Sequence, residues 1–180
     1  MILASQSPRR KELLSRLIAR FEIIPAEIEE SKFPFEELSL QKAIKVGKSH
    51  PDELVLAADT IVVKDGRVFG KPATLKEAEE FLTILSGNVH EVKTSYTLYC
   101  ENLSVLITRV VVSKVRFNDL SRELITSYIA TGSPMDKAGG YGIQDADFPL
   151  VKSIEGSYTN VVGLPLESLK EDLESLGLIA

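Results

Sequence analysis

The sequence has little of what a secreted or membrane protein needs. Its 180 residues include one cysteine, Cys100, and no tryptophan, so neither an intramolecular disulfide nor a cysteine-rich zinc site is available. No apolar run approaches the roughly 20 residues that span a bilayer. The basic residues at positions 9–11 follow the apolar start Met1–Ala4, which is the reverse of a signal peptide. These absences predict a cytoplasmic protein that does not enter a membrane.

The chain also has fewer positively charged than negatively charged side chains. The chain has 21 lysine and arginine residues against 26 aspartate and glutamate residues, which gives a net charge of −5. Such a protein lacks the positive field that long nucleic acid attracts, although a local basic cluster can still hold a small anion. With 44% hydrophobic and 26% charged residues, the composition is that of an ordinary globular protein. No repeat or linker divides the chain, so we interpret residues 1–180 as one domain.

Strand and helix patterns alternate along the chain and predict an α/β fold with a mixed sheet. Leu54–Ala58 is a continuous apolar run, as in a strand buried on both faces. The segment Lys64–Gly66 is expected to turn a hairpin, and Thr74–Glu77 is a capping box that starts a helix. Two long β stretches, Val89–Tyr99 and Leu103–Phe117, are expected to pair in antiparallel fashion.

The first predicted helix, Pro8–Arg20, begins with an unusual charge pattern. Ser7 can cap this helix, and Pro8 occupies its first position, where proline is tolerated. The three cations at positions 9–11 lie at the positive end of the helix dipole, where each is unfavourable by about 0.3–1 kcal/mol. Backbone N–H groups, serine hydroxyls and guanidinium groups together match the oxygens of a phosphate. The segment is therefore a candidate anion site, and a solvated basic helix is the alternative.

Acidic and lysine side chains elsewhere are candidates to meet that anion. Asp59 follows the apolar run, at the strand edge where open α/β sheets bind ligands, and its carboxylate can bind a metal or activate water. A turn-capping aspartate is the alternative interpretation. Glu30 offers a second acid, whereas Lys42 and Lys71 are weaker candidates because lysines in such positions are usually exposed.

The segment Asp136–Gln144 is the second informative feature. Glycines at positions 139, 140 and 142 permit close backbone approach and unusual dihedral angles. Gln144 carries both a donor and an acceptor and can therefore read the edge of a base. A plain flexible loop is the alternative. His50 and His90 are too isolated in the sequence to indicate a metal site.

These features belong to a set of short motifs that occur in order over nearly the whole chain. The set comprises Ser5–Arg10, Ile28–Glu30, Lys42-Ala43, Ala58–Thr60, Gly70–Pro72, Leu85–Gly87 with His90, Asp136–Gln144, Gly156–Tyr158 and Val162–Pro165. Each motif is weak alone, but the ordered set is specific. The chain resembles the Maf family of septum-formation-inhibitor-like nucleotide pyrophosphatases.

The resemblance implies an ITPase-like α/β fold, with an elongated mixed sheet flanked by helices and two lobes around a central nucleotide-binding cleft. It implies hydrolysis of a nucleoside triphosphate to the monophosphate and pyrophosphate, with Mg²⁺ or Mn²⁺ as cofactor. Thr60 and a loop that ends in Gln144 are similar to the branch that acts on dTTP and UTP, with modified pyrimidine nucleotides as further candidate substrates. Members that act on 7-methyl-GTP typically have Gln and Glu at these two positions.

The same resemblance implies a role for each matched residue. Asp59 is the expected proton acceptor, and Glu30 and Asp59 are the expected metal ligands, with the choice between them open. Arg9, Thr60 and Gln144 are expected to select the substrate. The other expected contacts with the phosphates are Ser5, Ser7, Arg10, Lys42 and Lys71. Two other functions stay open, a non-enzymatic nucleotide-binding regulator of cell division and a 7-methyl-GTP pyrophosphatase. A homodimer is expected on general grounds.

Overall fold

A computed structural model describes residues 1–179, which form seven β-strands and six α-helices. The strands are β1 (Ile2–Leu3), β2 (Glu22–Ile23), β3 (Val55–Lys64), β4 (Arg67–Phe69), β5 (Val89–Cys100), β6 (Val105–Phe117) and β7 (Val151–Glu155). The helices are α1 (Pro8–Ser15), α2 (Phe35–Gly47), α3 (Leu75–Leu85), α4 (Arg122–Ala130), α5 (Tyr158–Val162) and α6 (Leu166–Ser175). Among these residues, no helix combines the length and the apolar character needed to cross a membrane.

The strands form one mixed sheet, as the sequence predicts. Their order is β2-β1-β3-β5-β6-β7, and β4 pairs with β3 outside this path. Strand β1 runs parallel to both β2 and β3, whereas β4 is antiparallel to β3 and β7 is antiparallel to β6. The predicted α/β class with a mixed sheet is therefore confirmed.

The chain divides into two compact units, in agreement with the expected two lobes. The first unit comprises residues 1–59, residues 94–111 and the segment from Gly163 onward, and the second comprises residues 60–93 and 112–162. A core of the first unit joins β1 and β3 to α2 through Ile2, Val55 and Val46. The core of the second unit contains Phe81 of α3, Val115 and Phe117 of β6 and Tyr128 of α4.

Local signals in the sequence fix several element boundaries. The β3–β4 hairpin turns at Asp65 and Gly66, whose φ angles of 50° and 78° are both positive, as in the tightest hairpin turns. Thr74 caps α3 by accepting a hydrogen bond from the backbone N–H of Glu77 at 3.1 Å. The predicted hairpin and the helix start at Thr74 are thus confirmed, whereas the Glu77 carboxylate accepts from the Ala73 N–H at 2.6 Å rather than from the Thr74 N–H that a full capping box uses.

Two predicted boundaries are wrong. Helix α1 ends at Ser15 rather than Arg20, because Arg16 and Leu17 donate to carbonyls three residues back and the last turn tightens. Asp59 does not end its strand. Strand β3 continues to Lys64, since the apolar residues that follow Thr60 pair with β4. Asp59 therefore lies in the middle of strand β3 rather than in a loop.

Candidate active site

The start of α1 is organised around the side chain of Arg10. Ser7 caps the helix by accepting a hydrogen bond from the Arg10 backbone N–H at 3.4 Å. Ser5 Oγ accepts from the Ser7 N–H at 3.2 Å and from Arg10 Nη1 at 3.4 Å. Arg10 Nε donates to the carbonyl oxygen of Gly163 at 2.9 Å. The predicted cap at Ser7 is confirmed, and the guanidinium group is held in place from two sides.

Lys42 lies between the two acids that the sequence singled out. Its Nζ is 2.6 Å from Asp59 Oδ1 and 2.7 Å from Glu30 Oε1. Helix α2 presents Lys42 inward, so that only 9% of the residue is exposed. The side chain of Asp59 is also largely buried, whereas that of Glu30 is 57% exposed. One buried cation therefore holds two carboxylates, of which one is enclosed and the other reaches solvent.

Burial decides the electrostatics of this cluster. It raises the pKa of the Asp59 carboxyl, and the positive charges of Lys42 and Arg10 oppose that rise. It also lowers the pKa of Arg10, with Asp59 as the largest opposing charge. Arginine nevertheless stays charged in proteins. The cluster thus combines a desolvated carboxylate with two fixed cations, which is a typical environment for a functional carboxylate.

The second carboxylate oxygen of Asp59 lacks the hydrogen bond that a buried oxygen usually has. Asp59 Oδ2 is buried and has no hydrogen-bond partner, which is rare for a buried polar atom. Within residues 1–179, no three histidine, cysteine, aspartate or glutamate side chains come together as a metal site. Mg²⁺ commonly needs only one or two protein carboxylates, since waters and substrate phosphates complete its shell. Asp59 Oδ2 and the exposed Glu30 carboxylate fit that requirement.

Three of the remaining predicted site residues, Thr60, Lys71 and Gln144, belong to the second unit. Arg9 belongs to the first unit and is half-buried on the first turn of α1. Thr60 follows Asp59 along β3 and opens the second unit. Lys71 is exposed on the turn after β4, and Gln144 is exposed in the glycine-rich loop. A hydrogen bond from the Gly139 N–H to the Gly70 carbonyl oxygen, at 3.0 Å, joins that turn to that loop.

The glycine-rich loop is anchored through His90 of β5. His90 Nε2 lies 2.6 Å from the hydroxyl of Tyr141, and both rings pack edge-on against Phe117. Gly139 passes so close to Val62 that an added Cβ would lie 2.8 Å from a valine methyl group. The loop is thus packed, which contradicts its interpretation as a plain flexible loop.

We expect His90 to make stability depend on pH. Burial lowers the pKa of His90 from 6.5 to about 4, so the unfolded state binds more protons between these values. Stability is then complete above pH 6.5 and is lost as the pH falls toward 4, by about 3 kcal/mol for a shift of this size. Urea unfolding at pH 7 and pH 5 should show a smaller difference for His90→Gln than for the wild type. The partly exposed His50 provides the control His50→Gln, and an unchanged difference in His90→Gln would contradict the expectation.

Sequence reasoning missed several residues of these two clusters. The carbonyl of Gly163 anchors Arg10, but a backbone acceptor leaves no signal in a single sequence beyond the motif that contains it. Tyr128 on α4 hydrogen-bonds to the backbone of Gly142 in the glycine-rich loop. Nothing distinguishes Tyr128 from an ordinary core tyrosine by spacing. Asp145, its partner, directly follows Gln144, and that adjacency was the one available signal.

Comparison with known proteins adds an independent line of information. A family model described as "Maf-like protein" matches residues 1–176. A Geobacter metallireducens protein named dTTP/UTP pyrophosphatase is 43% identical over 99% of this chain and 97% of its own length. A Thermosipho africanus protein of the same name is 46% identical over 99% of this chain and 94% of its own length.

A solved structure is similar in fold. The Ham1 protein of Staphylococcus aureus superposes with a TM-score of 0.58 over 97% of each chain, at 12% sequence identity. Identity this low supports a shared fold and nothing about the reaction. The sequence relatives and the structural relative therefore contribute different information.

Proposed function

This chain belongs to the Maf family, and from that membership we propose that it is a nucleoside triphosphate pyrophosphatase acting on dTTP and UTP. The relatives at 43% and 46% identity that carry this name match it over nearly their full lengths. The structural observation that carries the proposal is the cluster of Arg10, Lys42 and Asp59, in which one buried carboxylate oxygen has no partner. Water adds across the α–β phosphoanhydride bond, and the products are the nucleoside monophosphate and pyrophosphate.

The first unit supplies the groups for the phosphates. Arg10, Lys42, Ser5, Ser7 and the start of α1 offer donors to a polyanion, and fixed donors stabilise developing charge without reorganising. Arg10 is already oriented by the Gly163 carbonyl and Ser5. Binding therefore costs little side-chain ordering at this position.

Asp59 is proposed as the proton acceptor. Its Oδ1 is occupied by Lys42, whereas Oδ2 is buried without a partner. Burial raises the pKa of this carboxyl, which makes its ionised form a stronger base than an exposed aspartate. Lys42 keeps the carboxylate charged and oriented, so that Oδ2 is the oxygen that accepts a proton from the attacking water.

A divalent cation, Mg²⁺ or Mn²⁺, is proposed as cofactor. Glu30 would hold it together with the phosphates of the substrate while Asp59 Oδ2 takes the proton, and Asp59 is the alternative ligand, with the choice between the two acids open. When bound, the cation neutralises phosphate charge, because Lys42 is already paired with Asp59 and Glu30. The proposed roles of Arg9, Thr60 and Gln144 lie in substrate selection, and that of Lys71 lies with the phosphates. The cytoplasmic location and the homodimer stay predictions.

A panel of nucleotides tests the function. The purified chain is incubated with dTTP, UTP, CTP, GTP and 7-methyl-GTP, with Mg²⁺, with Mn²⁺ and with EDTA, and monophosphate and pyrophosphate are quantified. We expect dTTP and UTP to exceed the others in kcat/KM by at least about 10-fold, and EDTA to abolish turnover. Release of a diphosphate and orthophosphate would contradict the proposed bond, and a 7-methyl-GTP preference would contradict the proposed branch. Nucleotide binding without turnover would favour a non-enzymatic regulator.

A further inference from the structure

One buried hydroxyl holds the loop on both sides of Gln144. The hydroxyl of Tyr128 donates to Asp145 Oδ2 at 2.5 Å and accepts from the Gly142 N–H at 2.9 Å. Gly142 lies two residues before Gln144, and Asp145 lies one residue after it. Tyr128 is fully buried at 0% exposure, and burial raises the pKa of its hydroxyl, so the group remains a proton donor. A single point on α4 therefore fixes both ends of this short turn.

A second layer of contacts stiffens the same turn. Ser133 Oγ donates to the same Asp145 oxygen at 2.8 Å. Lys137 Nζ in turn donates to Ser133 Oγ at 2.9 Å and to the Ser133 carbonyl oxygen at 2.7 Å. The Lys137 chain passes so close to Gly142 that an added Cβ would lie 2.7 Å from Lys137 Cε. Polar contacts at Asp145 and close packing at Gly142 thus both restrain the turn formed by residues 142–145.

Gln144 itself is exposed, at the tip of a turn closed by a hydrogen bond from the Asp145 N–H to the Gly142 carbonyl oxygen at 3.2 Å. An exposed amide distinguishes two bases well only if its backbone is fixed, because otherwise binding must also order the loop. The contacts around Gln144 meet this condition, since the Tyr128 hydroxyl holds Gly142 on one side of it and Asp145 on the other.

We infer that Tyr128 and Asp145 are positioning residues for base selection, which act by holding the backbone of Gln144. The inference rests on the proposed function, in which Gln144 contacts the base. It assigns selectivity to two side chains that do not themselves touch the substrate. UTP and CTP provide the sharpest pair of substrates, because they share ribose and phosphates and differ at the base edge that an amide reads.

Tyr128→Phe tests the inference against a matched control. The phenylalanine ring keeps the packing against Phe148 and removes the bridging hydroxyl alone. Tyr96→Phe is the control, because Tyr96 is equally buried and its hydroxyl also donates to an aspartate, Asp172, at 2.6 Å. We expect the ratio of kcat/KM for UTP to that for CTP to fall about 10-fold in Tyr128→Phe and to stay at the wild-type value in Tyr96→Phe.

The outcomes separate the inference from the proposed function. A wild type that hydrolyses neither UTP nor dTTP would remove the proposed function. A selective wild type with an unchanged ratio in Tyr128→Phe would overturn the inference, even if both rates fell together, because equal losses indicate a structural role only. The inference would also be overturned if the UTP to CTP ratio fell in Tyr96→Phe as much as in Tyr128→Phe.

A second variant covers the case in which Tyr128→Phe does not fold. Asp145→Asn keeps the size of the side chain and one oxygen acceptor, while weakening the bonds from Tyr128 and Ser133 that are assisted by its charge. Its UTP to CTP ratio is expected to fall in the same direction. Where Tyr128→Phe does fold, the two effects should be less than additive in the double variant, because both substitutions act on the same contact between Tyr128 and Asp145. Full additivity, or a wild-type ratio in Asp145→Asn, would overturn the inference.

Discussion

Asp59→Asn is expected to lower kcat for dTTP hydrolysis by about 10²–10⁴-fold, the range for loss of a general base, while the protein keeps its fold. The asparagine amide can still accept the hydrogen bond that Lys42 donates to Asp59 Oδ1 at 2.6 Å. It has no basic oxygen to receive a proton at the Oδ2 position. Pyrophosphate release measures the first effect, and the free energy of unfolding in urea measures the second.

Two further measurements make this result specific to the chemical step. Binding of dTTP to Asp59→Asn in the absence of turnover should persist, since Arg10 keeps its bonds to Gly163 and Ser5. Asp52→Asn is the matched control, because Asp52 is an exposed acid whose partner is Asn102. It should retain wild-type turnover. Near-wild-type pyrophosphate release from Asp59→Asn would remove Asp59 from the mechanism.

The boundaries that the sequence predicts well are those that depend on neighbouring residues. Ser7 and Pro8 start α1, and the cap at Thr74 starts α3, because each signal acts over a few residues of chain. The end of α1 was wrong for the opposite reason. Leu17 and Ile18 continue the apolar spacing of a helix, but spacing does not distinguish an α-helical turn from the tighter turn that follows Ser15.

The candidate site was predictable only in part. The cation cluster of α1 and the carboxylate of Asp59 were visible as local chemistry, whereas Lys42 looked like any surface lysine on a helix. Its burial against Asp59 and Glu30 depends on how α2 packs on the sheet, which no local pattern contains. The apolar run Leu54–Ala58 predicts a strand end at Asp59. The segment beyond Thr60 instead continues the strand by pairing with β4.

Lys42→Met is the substitution that we expect to lower activity and stability together. The variant keeps a long, unbranched side chain and removes the charge that Asp59 and Glu30 share. Turnover of dTTP should fall about 10²–10³-fold, as for loss of one preorganised donor. Asp59 then loses its closest cation in a desolvated position, and removing one partner of a buried ion pair costs about 3–5 kcal/mol. Steady-state kinetics and urea unfolding at pH 8 measure the two losses.

The double variant Lys42→Met/Asp59→Asn shows whether the stability loss arises from the stranded carboxylate. Replacing both charges of a buried pair is often neutral, so the double variant should recover most of the stability that Lys42→Met loses while remaining inactive. Lys45→Met is the matched control, because Lys45 lies on the same helix with its side chain exposed, and it should behave as the wild type. If the double variant were as unstable as Lys42→Met, packing of the lysine stem rather than the charge of Asp59 would explain the loss. In that case Lys42 would not be the group that keeps Asp59 ionised in the buried cluster.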